Sequence, residues 1–203
     1  MTANMDNIFE KIKEIGEKNA GSVTTKQIEE AGIYRGLIRN FVEDGRLIKE
    51  AKGLYSLAGE FPDEYALLQK RSGKMVFSYG TALYLWGMSD RVPHYISVTV
   101  PQGFNSTRIK KDNAKTKFYY VQKEVWDLGI TYTDTSLGNK VMLYDKERCI
   151  CDLVMLKKEV DKQLYVQAIK EYFKGNYNGR RLIKYAKVFG IEEKIRDYME
   201  VLA

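Results

Sequence analysis

The chain has 203 residues, 44% of them hydrophobic and 30% charged, with two cysteines and a net charge of +6. No apolar run approaches the roughly 18 residues of a membrane span, and two cysteines make no disulfide framework. The expectation is therefore a globular protein of a reducing cytoplasm, with no secretory signal and no membrane anchor, large enough for a small module plus a larger domain.

Met5, Ile8, Ile12 and Ile15 recur at the spacing of one helical face, while Lys11, Lys13, Glu14 and Glu17 take the other. This predicts a core-facing first helix. Thr24 and Gln27 have the spacing of a capping box, in which each side chain satisfies an unpaired backbone N–H, and Val23 and Ile28 are placed as a hydrophobic staple across it. The second helix starts there and stops at Gly32. Only Gly32, Ile33 and Tyr34 precede a third helix, about the length of a helix-turn-helix corner.

On a wheel of about 100° per residue, Leu37, Ile38, Phe41 and Val42 share one arc of that third helix. Arg35, Gly36, Arg39, Asn40 and Glu43 share the opposite arc, which makes Arg35 and Arg39 neighbours. Arginine pairs bidentately with guanine or grips phosphate, and asparagine pairs with adenine, so this face carries chemistry suited to a DNA groove. Tyr34 stands at the N-cap, where Ser or Asp would cap better.

Gly45 ends the helix, and residues 47–50 and 54–57 read as two strands joined through Ala51, Lys52 and Gly53. Such a wing would set Lys49 and Lys52 against a phosphate backbone, with Lys26 as a third phosphate contact. Residues 1–59 hold nine basic and nine acidic side chains, so bulk charge does not argue for DNA. Placement does, because the acids fall mainly on the first helix and the end of the second. The expected DNA-binding set is thus Lys26, Tyr34, Arg35, Gly36, Arg39, Asn40, Lys49 and Lys52. A competing reading makes the module a protein-contact adaptor only.

Gly59, Glu60, Phe61 and Pro62 mark the boundary, giving a winged helix-turn-helix DNA-binding domain over residues 1–59 and a C-terminal domain over 60–203. The remainder carries the whole charge surplus, which suits a negatively charged partner. A helix is expected over 63–71, a strand over 75–77, and a helix from a Ser78 cap through Ala82, Leu83 and Trp86 to Gly87. Strand patterns follow at 95–100, 118–121, 130–133 and 140–143. Beyond Asp145 four helices are expected, capped at Asp145, Asp161 and Asn178 and broken near Gly175 and Gly190. The fold class is α+β: a winged helix-turn-helix, then a small mixed or antiparallel sheet and a C-terminal helical layer.

Chemistry-bearing clusters are sparse. Ser89, Asp90 and His94 lack a nucleophile elbow, and Ser-Asp ahead of Pro93 reads better as a turn bonding its own backbone. Cys149 and Cys151 have no second ligand pair nearby, so they read as buried thiols rather than a zinc site. No enzyme activity, metal or cofactor is expected. Two cationic surfaces remain: Arg108, Lys110, Lys111, Lys115 and Lys117, interleaved with Phe118, Tyr119 and Tyr120, and a stripe of Arg180, Lys184 and Lys187 beside Arg181.

Residues 79–103 read YGTALYLWGMSDRVPHYISVTVPQG. Here the chain resembles the AbiEi antitoxin family of type IV abortive-infection toxin-antitoxin systems. The likeness runs through Ala82, Leu83, Gly87, Ser89, Asp90, Pro93, Val98, Thr99, Val100, Pro101 and Gly103, with Met88 replacing a usual leucine. The segment ERCICD at 147–152 is similar to the family's helix start, with Cys149 where threonine is common. The resemblance implies phage resistance through two jobs. The N-terminal domain would act as a transcriptional repressor on operator DNA of its own promoter. The C-terminal domain, with the two cationic surfaces as candidates, would oppose a co-encoded nucleotidyltransferase-like toxin without requiring a stable complex. The alternative is a one-component regulator that senses a small ligand and has no toxin partner.

Overall fold

The computed structural model describes residues 2–60 and 62–202; Phe61, one of the boundary residues, lies outside them. The chain divides into two compact units, Met1–Arg71 with Asp134–Asn139, and Ser72–Thr133 with Lys140–Ala203.

The first unit runs α1 (Thr2–Glu17), β1 (Ser22–Thr24), α2 (Thr25–Glu30), a 3-10 turn (Arg35–Leu37), α3 (Ile38–Glu43), β2 (Leu47–Ala51), β3 (Leu54–Leu57) and α4 (Glu64–Lys70). β3 lies between β1 and β2, antiparallel to both. Its core gathers Ile12, Val23, Ile28, Ile33, Ile38, Phe41, Leu47 and Leu57, so the apolar stripes of all three N-terminal helices converge as their spacing requires. The wing turn is tighter than expected. Ala51 belongs to β2, and only Lys52 and Gly53 link the strands, with Gly53 at φ 74° supplying the left-handed residue of a two-residue hairpin.

The capping box is formed: Gln27 N–H donates to Thr24 Oγ1 at 3.2 Å and Thr24 N–H donates to Gln27 Oε1 at 2.8 Å. With α2 only six residues long, its cap is a large share of its hydrogen bonding. Thr24→Ala is expected to destabilise the first unit by about 1 kcal/mol, read as a lower urea midpoint with unchanged m-value.

The compact unit extends past the turn at 59–62, where the sequence places the domain boundary. Asp63 caps α4 by accepting from Tyr65 and Ala66 N–H, Ala66 and Leu68 are buried, and Lys70 donates to the Asn19 carbonyl and to Ser22 Oγ. Asp63 Oδ2 also accepts from Asn139 Nδ2 at 3.0 Å and from Thr135 Oγ1, which ties residues 134–139 to the same unit.

The second unit carries β4 (Val76–Phe77), α5 (Tyr79–Leu85), β5 (Ile96–Pro101), α6 (Thr107–Asp112), β6 (Thr116–Val121), α7 (Lys123–Trp126), β7 (Ile130–Asp134), β8 (Lys140–Tyr144), α8 (Lys146–Met155), α9 (Lys162–Lys174), α10 (Gly179–Val188) and α11 (Glu192–Leu202). Its sheet, ordered β6-β5-β4-β8-β7, is mixed: β4 is antiparallel to β5 but parallel to β8, and β5 is parallel to β6. The four C-terminal helices carry caps at Asp145, Asp161 and Asn178. α8 is the hub, packing against α5, α9, α10 and α11, and every residue from Glu147 to Val154 is buried.

Candidate nucleic-acid interface

The N-cap position explains the geometry of the segment that opens the third helix. Tyr34 offers no side-chain cap, so the first turn tightens into a 3-10 form closed by Leu37 N–H on the Tyr34 carbonyl at 3.0 Å. The expected helix therefore starts as a 3-10 turn at Arg35, and Arg39 follows as the second residue of α3.

Inside, Ile33, Ile38 and Phe41 are buried and Leu37 and Val42 pack beside them. Outside, Arg35, Gly36, Arg39 and Asn40 are exposed. Arg39, with its side chain 83% exposed, donates Nε to Glu43 Oε1 at 2.6 Å, and that hydrogen bond raises its pKa. Arg35 Nε lies 3.9 Å from Glu29 Oε1, and Lys26 Nζ 3.5 Å from Glu30 Oε1. These are solvent-exposed pairs that a phosphate can replace, not internal locks. The exposed Tyr34 ring lies over Gly36, in the space a Cβ there would need.

Lys49 and Lys52 are exposed on β2 and at the wing tip, and neither makes an ion pair among the described residues. Thr25 N–H donates to the Gly53 carbonyl at 3.0 Å, which sets the wing tip at the start of α2, next to Lys26. The structure thus gathers Lys26 with Lys52, and Arg35 with Gly36, Arg39 and Asn40.

One supporting residue escaped the sequence reading. The Arg46 guanidinium lies 4.9 Å from the Phe9 ring centroid and 4.8 Å from that of Phe41, and pairs with Asp6 at 3.0 Å and Asp44 at 2.6 Å. It fastens α1 to the end of α3. No periodicity reveals such a clasp, because its partners are far apart in the chain.

In the second unit Arg108, Lys110 and Lys111 are exposed on α6, Lys115 precedes β6, and Lys117 is on β6. Lys110 Nζ sits 5.5 Å over the Phe118 ring and 5.6 Å over Tyr120, whereas Lys117 Nζ sits 5.0 Å over Tyr119. Alternation along β6 puts these two cations on opposite faces of the strand, so the basic stretch is not one surface. Arg180, Lys184 and Lys187 are exposed along α10. Arg181 is engaged elsewhere, 3.5 Å from Asp145 Oδ2 and 3.7 Å from Glu147 Oε2, neutralising two buried carboxylates.

Ser89 Oγ accepts from Arg91 N–H at 3.2 Å, the self-bonding turn read from the sequence. Both cysteines are buried, and burial pushes the Cys151 thiol up to about 12. Among the described residues no three His, Cys, Asp or Glu side chains gather to hold a metal ion, and no helix is long and apolar enough to cross a membrane.

The order helix, strand, helix, helix, strand, strand, with β1 closing a three-stranded sheet, defines a winged helix-turn-helix at the N-terminus of an α+β protein. Residues 10–58 match the family described as transcriptional regulator, AbiEi antitoxin, a span that covers the helix-turn-helix and its wing. The fold is similar to that of the RV2827C protein from Mycobacterium tuberculosis, with a TM-score of 0.60 at 16% identity, over 82% of this chain and 66% of that one. No curated protein matches the sequence.

Proposed function

We propose that this protein is a bifunctional antitoxin and autorepressor. The winged helix-turn-helix binds operator DNA of its own promoter, with Arg35, Arg39 and Asn40 at base edges and Lys26, Lys49 and Lys52 on phosphates. Tyr34 and Gly36 border the same contact. The C-terminal domain opposes a nucleotidyltransferase-like toxin encoded beside it. The observation that carries the first half is the sealing of Ile38 and Phe41 inward while Arg35, Gly36, Arg39 and Asn40 face solvent on a segment matched to a transcriptional-regulator family. Support for the second half comes from that family's description as antitoxin. The exposed cations at Arg108, Lys110, Lys111, Lys115, Lys117, Arg180, Lys184 and Lys187 supply surfaces for it, with Arg181 paired to Asp145 and Glu147.

The two halves separate in one assay. With the toxin driven from an unrelated promoter, repression of its native promoter cannot protect the cell. Growth restored by both the intact chain and an Arg35→Ala, Arg39→Ala variant would support neutralisation at the protein level. Failure of the intact chain to rescue, at confirmed expression, would remove the antitoxin half.

A further inference from the structure

A cavity of about 360 Å³ opens in the second unit between α5, β5, β6 and the segment joining α8 to α9. That is within the range of pockets that hold small ligands. Its walls are aromatic: the Tyr79 and Tyr119 ring centroids are 4.0 Å apart, and Tyr95, 58% exposed, stands with them. Tyr79 is held at φ 47°, a backbone conformation that aromatic residues rarely adopt.

Charge narrows the occupant. Lys117 and Glu159 both line the cavity, as does Asp161, whose carboxylate is tied to Arg91 at 3.3 Å. A simple anion would face Glu159 and Asp161, and an organic cation would face Lys117. A flat uncharged ring with donors and acceptors around its edge satisfies both signs, while tyrosines supply stacking surfaces that tolerate any base.

We infer that this cavity binds a purine nucleoside, its base against the Tyr79 and Tyr119 walls and its edge hydrogen-bonded to Lys117 and Glu159. Such a site would give the one-component, ligand-sensing reading its sensor, yet it stands whether or not the first unit binds DNA.

The test is calorimetric titration of the full chain with adenosine and guanosine, and separately with inorganic phosphate and choline. Saturable binding of one of the nucleosides at one site per chain is expected, and none of phosphate or choline. Lys117→Met and Glu159→Gln alter exposed side chains, so the urea midpoint should hold while each weakens nucleoside binding roughly fivefold. Tyr79→Phe, which keeps the ring, should retain binding. Absence of saturable binding by both nucleosides, binding of phosphate or choline instead, or nucleoside affinity indifferent to both polar substitutions would each overturn the assignment.

Discussion

Replacing Arg148 with methionine is expected to cost the second unit about 3–5 kcal/mol of stability, the penalty of stranding a buried charge. The Arg148 guanidinium, on α8, is 1% exposed. Its Nε donates to Asp152 Oδ1 at 2.9 Å, and its Nη1 donates to the carbonyls of Val125 at 2.6 Å and Leu128 at 3.0 Å. The rings of Tyr144 and Phe189 cover it at 4.2 Å and 4.6 Å. Methionine fills the volume but leaves a carboxylate and two carbonyls unpaired in a dry interior. Both tryptophans of the chain, Trp86 and Trp126, lie in this unit, so the urea dependence of their fluorescence reads the loss without interference from the first unit. A loss below about 1 kcal/mol would show that the pair contributes no more than a surface bridge.

Asp152 adds a pH signature. Its Oδ2 has no hydrogen-bond partner among the described residues, and burial pushes its carboxyl up to about 6 against the opposing pull of Arg148. The folded chain therefore holds a proton that the unfolded chain has released by about pH 4, so this group's contribution to stability falls as pH rises from about 4 to 6 and is level above. Asp152→Asn removes the titration. Stability of the wild type relative to this variant should grow as pH falls from 6 to 4; a difference that is flat across that window would contradict the shift.

Local signals carried the sequence reading where they were strong. Asp145, Asp161 and Asn178 cap helices in the structure because an N-cap is decided within three residues of itself. Sheet order was not legible: the parallel Phe77–Leu143 pairing that sets β4 beside β8 joins distant residues and leaves no trace in either strand's alternation. β1 was read only as the approach to a cap, since three residues show no period. α6, hidden in a basic stretch, announces itself only through Asn105 Oδ1 accepting from Thr107 N–H at 3.1 Å. At α8 the cap and the buried cysteines were legible, but the burial of its charges was not. Glu147, Arg148 and Asp152 look like a solvated face on any wheel, but their partners, Tyr172, Val125 and Leu128 among them, come from other elements and bring the charges inside. At residues 35–43 the exposed face was readable from the apolar stripe and Tyr34 from its weakness as a cap, whereas three residues in 3-10 form leave no period of their own.

The second large effect concerns that segment. Arg39→Ala is expected to lower affinity for the native promoter roughly tenfold or more while changing affinity for random DNA far less, because a bidentate base contact discriminates and a phosphate contact does not. Arg35→Ala should behave in the same way. Both side chains must first leave Glu43 and Glu29, and the acids then face the phosphates. Glu43→Gln should accordingly tighten binding to every sequence, most at low salt. Lys52→Ala, at the wing tip with no internal partner among the described residues, should weaken specific and random DNA alike and reduce the slope of log affinity against log salt by about 1. Gel shifts over a salt series distinguish these behaviours. If Arg35→Ala and Arg39→Ala each gave the same proportional loss on promoter and random DNA, as Lys52→Ala should, neither arginine could be held to read a base, and this exposed face would be a phosphate grip alone.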